Sequence, residues 1–150
     1  MLSIEVPDKY GYVLLTCGVF PALTNFVLGG KVMAARKKYN VKLPNLYATP
    51  GFHEKANEFN RVQRGHQNML ESISDFRVCS LIGGLHYPIV VAVCGVLYSA
   101  GAYLYMAGYS DNSLDAQGAR LKKGGPIKFL ASLVVMGCGA ASAISFCVKK

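Results

Sequence analysis

Three stretches of this chain run without a charge: residues 10–30, 78–110 and 129–148. Each is long enough to cross a hydrocarbon core of ~30 Å at a helical rise of ~1.5 Å per residue. The middle stretch is broken near His86-Tyr87-Pro88, so its apolar helix is expected to start at the proline. Hydropathy alone therefore predicts three membrane spans. A different pattern fills the interval after the first. Arg64, Asn68 and Glu71 stand at i, i+4 and i+7, on one narrow helical face. The same segment then continues through Phe76 to Leu85 as a mostly apolar run. A helix whose polar half faces protein rather than lipid escapes a hydropathy window, and this is the form the segment takes.

Charge placement turns that fourth signal into a predicted span. Arg36, Lys37, Lys38, Lys42, Lys55 and Arg61 follow the first apolar run, and Arg120, Lys122, Lys123 and Lys128 precede the last. With three spans these basic segments would face opposite sides of the membrane, against the positive-inside tendency. With a span at about 60–86 both lie in the cytosol, and Met1 and Lys150 lie on the other side. The expected fold is all-α: one domain over residues 1–150, an integral-membrane four-helix bundle with spans at about 10–34, 60–86, 89–109 and 127–148. A hydrophobic fraction of 52% against 16% charged residues agrees with membrane residence. The first run is not a secretory signal, because its flank carries Glu5 and Asp8 rather than a basic region.

A formal charge of +8 raises nucleic acid as a partner, but there is no zinc-ligand spacing, aromatic ribonucleoprotein signature or basic recognition helix. The basic residues read instead as orientation signals and as attraction to anionic lipid. Pro44, Thr49-Pro50-Gly51, Asp111-Asn112-Ser113 and Gly124-Gly125-Pro126 punctuate the loops, and Pro21 falls inside the first span, where membrane helices tolerate it. The last span holds Gly137, Gly139, Ala140, Ala141, Ser142 and Ala143, small residues that let backbones approach. Cys17, Cys79, Cys94, Cys138 and Cys147 are scattered and odd in number, which suits apolar packing rather than a disulfide framework or a metal site. His53 and His86 read as loop and interface residues, and no Ser-His-Asp pattern, Walker loop or dinucleotide fingerprint is present.

Two polar faces carry the candidate chemistry. A cation, an amide and a carboxylate on the Arg64/Asn68/Glu71 face suit a small zwitterionic ligand; a solvated helix end with a structural salt bridge is the competing reading. On the third span Tyr98, Tyr105 and Tyr109 stand at i, i+7 and i+11 with Ala102 between them. Tyrosines there serve as interface anchors or present phenol hydroxyls to a ligand.

These motifs together resemble a known family. Arg36-Lys37-Lys38-Tyr39 ends the first span. Phe59-Asn60-Arg61-Val62-Gln63-Arg64-Gly65-His66-Gln67-Asn68 with Glu71 opens the second, and Gly101, Tyr105, Gly108 and Tyr109 follow. The combination looks like the membrane-associated proteins of eicosanoid and glutathione metabolism, from Tyr10 through the last span. The resemblance implies a homotrimer with a glutathione site between neighbouring protomers near the cytosolic face. It implies glutathione contacts at Arg36, Arg64, His66, Asn68, Glu71, Tyr105 and Tyr109. Arg120 is the best match for the arginine that holds the glutathione thiolate, with Lys122 its rival. His66 lies roughly 200° around the helix from Arg64, so in a trimer the two could serve different interface pockets.

The chemistry so implied uses glutathione as co-substrate and no metal. Its thiolate attacks a lipophilic electrophile arriving from the membrane, or reduces a lipid hydroperoxide, in the endoplasmic reticulum or the outer mitochondrial membrane. Some positions depart from the family. Leukotriene synthases have a tyrosine where this chain has Ser72 and an arginine where it has Ala102, and their proline-containing continuation is replaced by Ser72-Ile73-Ser74-Asp75-Phe76-Arg77. A non-catalytic lipid-binding member and a structural subunit of a membrane complex therefore stand as alternatives.

Overall fold

The first helix, Tyr10–Tyr39, is apolar enough to cross a membrane but is not regular throughout. Its turn Leu14–Val19 is π-helical, with the Phe20 N–H bonded back to the Leu15 carbonyl. Pro21 follows at once. A proline inside a helix lacks an N–H and its ring collides with the carbonyl four residues back, and a wider turn relieves both. The helix stops at Asn40, which takes the left-handed conformation (φ 52°) and donates its N–H to the Arg36 carbonyl. These features come from a computed structural model that describes residues 6–148, so Met1 and Lys150 lie outside the described residues.

The second helix, Ala56–Gly83, holds the polar row. Phe59, Gln63, Met69, Ile73, Phe76 and Ser80 are buried along one side at helical spacing, against the other helices. Its 28 residues span roughly 42 Å, but charges at Arg64, Glu71, Asp75 and Arg77 set it apart from the three apolar helices. Arg77, on the side away from Arg64, reaches the π-helical turn and donates from Nη2 to the Gly18 carbonyl at 3.1 Å. The cation thus finds its acceptor on the backbone of a neighbouring helix. Asp75 is exposed.

The third helix, Pro88–Tyr109, has proline in its first turn, where the missing N–H costs nothing. The fourth long helix, Pro126–Val148, crosses it closely at Gly101, where a Cβ would sit 2.5 Å from the Lys128 backbone nitrogen. The Lys128 stem is thereby drawn against the third helix. Tyr10–Tyr39, Pro88–Tyr109 and Pro126–Val148 are the helices long and apolar enough to span a bilayer. The chain is thus an all-helical integral membrane protein among its described residues.

The connections are tied to the helices rather than loose. Arg36 donates from Nη1 to the Asn45 carbonyl (2.7 Å), and the Asn60 amide brackets Ala48, accepting from its N–H (2.7 Å) and donating to its carbonyl (2.9 Å). Arg61 spans the next connection with three donors: Nε to Tyr109 O (2.6 Å), Nη2 to Asp111 O (2.7 Å) and Nη1 to Leu114 O (3.0 Å). Arg120 lies on a short helix, Ala116–Lys122, where the sequence suggested a loop. Asp115 starts that helix, its carboxylate accepting from the Gly118 N–H at 3.2 Å. Asp111 accepts from Lys123 Nζ at 2.8 Å and from Ser113, and those donors hold its carboxyl well below the usual carboxylate range.

Candidate functional site

Helical spacing brings the polar row together as the sequence suggests. Arg64 Nη1 lies 2.5 Å from Glu71 Oε1, two turns along the same face, and the side chains remain 39% and 46% exposed. Both charges are thus paired but open to a ligand. Below them the Tyr47 hydroxyl donates to Gln67 Oε1, which fixes the first connection against the second helix. A cavity of about 590 Å³ opens here, lined by Tyr47, Asn57, Asn60, Arg61, Arg64 and Tyr109. Arg61 bonds the Tyr109 carbonyl and so sets one wall, and the Asn60 clamp on Ala48 steadies the loop that carries Tyr47.

Asn68 meets a partner that sequence reasoning did not place in the site. Lys128 is 1% exposed, and its Nζ donates to Asn68 Oδ1 (2.5 Å), the Asn68 carbonyl (3.1 Å) and Ser72 Oγ (3.2 Å). The same ammonium lies over the rings of Phe129 (4.9 Å), Tyr105 (5.4 Å) and Tyr98 (5.8 Å). Its hydrogen-bond partners are all neutral, and none of the ion pairs of the described residues includes it. A buried ammonium held only by neutral groups is costly and marks a place where an anion would be welcome. The sequence signal for it was slight: a lysine in the first turn after Pro126, readily taken for the end of a basic loop.

The tyrosine stripe forms the back of this cluster. Tyr98 stacks on Phe76 with centroids 4.0 Å apart, and its hydroxyl lies 2.9 Å from Ser72 Oγ. Ser72 therefore bridges Tyr98 and Lys128. Tyr105 stacks on Tyr109 at 5.8 Å and meets the edge of Phe129 at 5.9 Å. The fold thus gathers Asn68, Ser72, Tyr98, Tyr105 and Lys128 between three helices, with Arg64, Glu71 and Tyr109 towards the open side.

The other sequence-derived positions lie apart from this cluster. Arg36 directs its donors to the carbonyls of its own loop, with its guanidinium 5.1 Å from the Phe59 ring. His66 faces the first helix, its Nε2 2.8 Å from Asn25 Oδ1. Arg120 and Lys122 are exposed on the short helix, and Arg120 makes no side-chain hydrogen bond or ion pair with the described residues. Among the described residues no group of three or more His, Cys, Asp or Glu could hold a metal.

Comparison with known proteins places this arrangement in a wider setting. The model of the MAPEG family matches residues 13–143. Human microsomal glutathione S-transferase 2 is similar over 109 residues at 34% identity, which covers 71% of this chain and 67% of that protein.

Proposed function

This chain belongs to the MAPEG family, and we propose that it is a membrane-embedded glutathione transferase whose site is built on the second helix. A glutathione-related transferase role follows at the level of the family; the residues and the reaction are our reading. The observation that carries it is the open Arg64–Glu71 pair at the edge of a 590 Å³ cavity, with Asn68 one turn from each. Glutathione offers two carboxylates and an ammonium. Arg64 takes a carboxylate through paired hydrogen bonds and Glu71 takes the ammonium, so the ligand replaces the internal ion pair with two of its own. Asn68, Tyr105 and Tyr109 contact the peptide, and Arg36 and His66 complete neighbouring sites in a homotrimer, as the family pattern implies. All four long helices cross the membrane, that of the endoplasmic reticulum first and the outer mitochondrial membrane as the alternative.

The reaction requires a thiolate. A free thiol titrates near ~8.5, so a nearby cation must favour the ionised form at neutral pH. Family resemblance assigns that task to Arg120, with Lys122 as rival, and the geometry adds Lys128, already directed at Asn68. The thiolate sulfur then forms a bond to the carbon of an epoxide delivered from the lipid as that carbon's bond to oxygen breaks, and the released alkoxide takes up a proton to leave a hydroxy thioether. In the peroxidase variant it attacks a lipid hydroperoxide, and a second glutathione completes the disulfide as alcohol and water leave.

Binding is tested with the detergent-solubilised protein. Glutathione raises its Tm by mass action, and Arg64→Ala or Glu71→Ala abolishes that shift while the oligomer stays intact. An equal shift in both variants would make the polar face structural and the ligand assignment wrong. The occupation of Asn68 by Lys128 favours one second reading, a member that binds its ligand without chemistry. Conjugation and peroxidase assays on protein that gives the Tm shift separate the two.

A further inference from the structure

Beyond the glutathione cavity the second helix carries two further charges, Asp75 and Arg77, and neither has a counter-ion among the described residues. Asp75 is exposed and makes no hydrogen bond with them either. Arg77 is half-buried. Its Nη2 reaches the Gly18 carbonyl, but its Nε is buried with no hydrogen-bond partner. A guanidinium has five N–H donors, and one carbonyl occupies few of them. Buried donors are ordinarily satisfied, and charges within a membrane-crossing helix ordinarily face a partner. Both side chains therefore call for partners that the protomer does not supply.

Helix geometry keeps the two apart within one chain. They are two residues apart, so they point roughly 200° from each other while differing by only about 3 Å in height. A ring of protomers can bring them together. Rotation about an axis normal to the membrane keeps every residue at its depth, and a head-to-tail contact sets one face of a protomer against a different face of the next. Opposite charges at one height on opposed faces suit such a ring. The register agrees with the proposed glutathione sites. Asp75 follows Arg64 by eleven residues and Arg77 follows His66 by eleven, and eleven residues are about three turns, a return to nearly the same face. The Arg64 and His66 faces, assigned above to neighbouring sites of a homotrimer, thus carry Asp75 and Arg77 roughly 16 Å further along. Gly18 leaves room on the Arg77 side: a Cβ there would meet nothing within 4 Å, so a neighbouring helix can approach.

We propose that Asp75 of one protomer pairs with Arg77 of the next, in a closed ring of ion pairs that locks the oligomer. The pairing rests on the proposed homotrimer with its second helix across the membrane, and it extends that interface from the glutathione level towards the Gly83 end of the helix. The carboxylate accepts from the Arg77 donors that Gly18 leaves free, so one contact neutralises both charges. Each protomer gives one aspartate and receives one, and the ring closes without a self-complementary surface.

Two differently tagged full-length chains in a cysteine-free background, one carrying Asp75→Cys and the other Arg77→Cys, test this when co-expressed and treated with a short bis-methanethiosulfonate linker. The mixture should give a cross-linked dimer that holds both tags, and neither variant expressed alone should cross-link. Self-linking of the Asp75→Cys variant would gather the aspartates around the axis and overturn the proposal. Asp75→Asn, a change at an exposed position that leaves the protomer fold intact, should lower by several degrees the temperature at which the oligomer dissociates in detergent. Arg77→Gln should do the same, and the double variant should fall no further than the more affected single, as for one shared contact. Additive losses, or no loss in Asp75→Asn, would reduce the two charges to separate structural roles and overturn the pairing. A parent that runs as a trimer while positions 75 and 77 fail to link keeps the homotrimer and removes only the ion pair; a parent that runs as a monomer removes both.

Discussion

Lys128 is the buried cation of the cluster. Its ammonium has three neutral oxygens and three aromatic rings around it and no carboxylate in contact. Replacing a buried ion with an apolar side chain of similar length is often neutral or stabilising. Lys128→Met should therefore keep the Tm of the ligand-free protein within a few degrees of the parent or raise it. If Lys128 faces the glutathione sulfur, the same variant loses the near-ultraviolet thiolate absorbance of bound glutathione at neutral pH. Arg120→Ala and Lys122→Ala, measured alongside, decide among the three cations: whichever variant lowers turnover and the thiolate signal without weakening binding identifies the group. The Arg64/Asn68/Glu71 row was legible in the sequence because a helix converts spacings of four and three into a shared face. Lys128 was not, because it meets Asn68 across a contact 60 residues long in sequence. No local periodicity encodes that distance. The difference between Arg36 and Arg64 was equally hidden, since which arginine spends its donors on backbone carbonyls depends on how the loop folds.

Between elements, the site depends on how closely the third and fourth long helices approach. Gly101 permits that approach, and a methyl group there would press on the Lys128 backbone. Gly101→Ala should cost about 1–3 kcal/mol, as overpacking typically does, and should weaken the glutathione-induced Tm shift as Lys128 moves. Gly30→Ala is the matched control, with nothing within 4 Å of the added carbon, and should change neither. Three helices could be read from uncharged runs alone. The second could be read only by combining the polar row with the placement of basic residues, because its charges defeat a hydropathy average. The short helix Ala116–Lys122 could not be anticipated, as its seven residues depend on a single capping carboxylate rather than on any apolar stripe. Nor could the role of Arg77, whose acceptor is a backbone carbonyl of the π-helical turn 59 residues away in sequence.

For the molecule as a whole, basic residues favour the cytosolic side of a membrane, so the two basic segments carry a prediction about sidedness. If the second helix crosses the membrane, Lys55 and Lys122 face the same compartment. Single cysteines at these positions, in a cysteine-free background in sealed vesicles, should react with an impermeant maleimide from the same side; labelling from opposite sides would return the chain to three spans. The open Arg64–Glu71 pair bears on assembly as well. If the second helix crosses the membrane, charges left exposed on a lone protomer need cover from another chain, and chemical cross-linking should then trap a trimer whose yield rises with glutathione.

The three-pronged grip of Arg61 has a consequence for proteolysis. Its guanidinium staples the chain at Tyr109, Asp111 and Leu114, just ahead of Arg120, Lys122 and Lys123, all sites at which trypsin cuts. A protease must draw several residues into an extended strand, and a stapled, capped segment resists this. Arg61→Lys keeps the charge but cannot reach three carbonyls at once, so limited trypsinolysis of that variant should nick the chain after residue 120, 122 or 123 while the parent stays whole. The nicked protein need not fall apart. The last helix packs along the second and third and carries Lys128 into their midst, so the two fragments should co-elute in detergent as a split protein held together without the peptide bond.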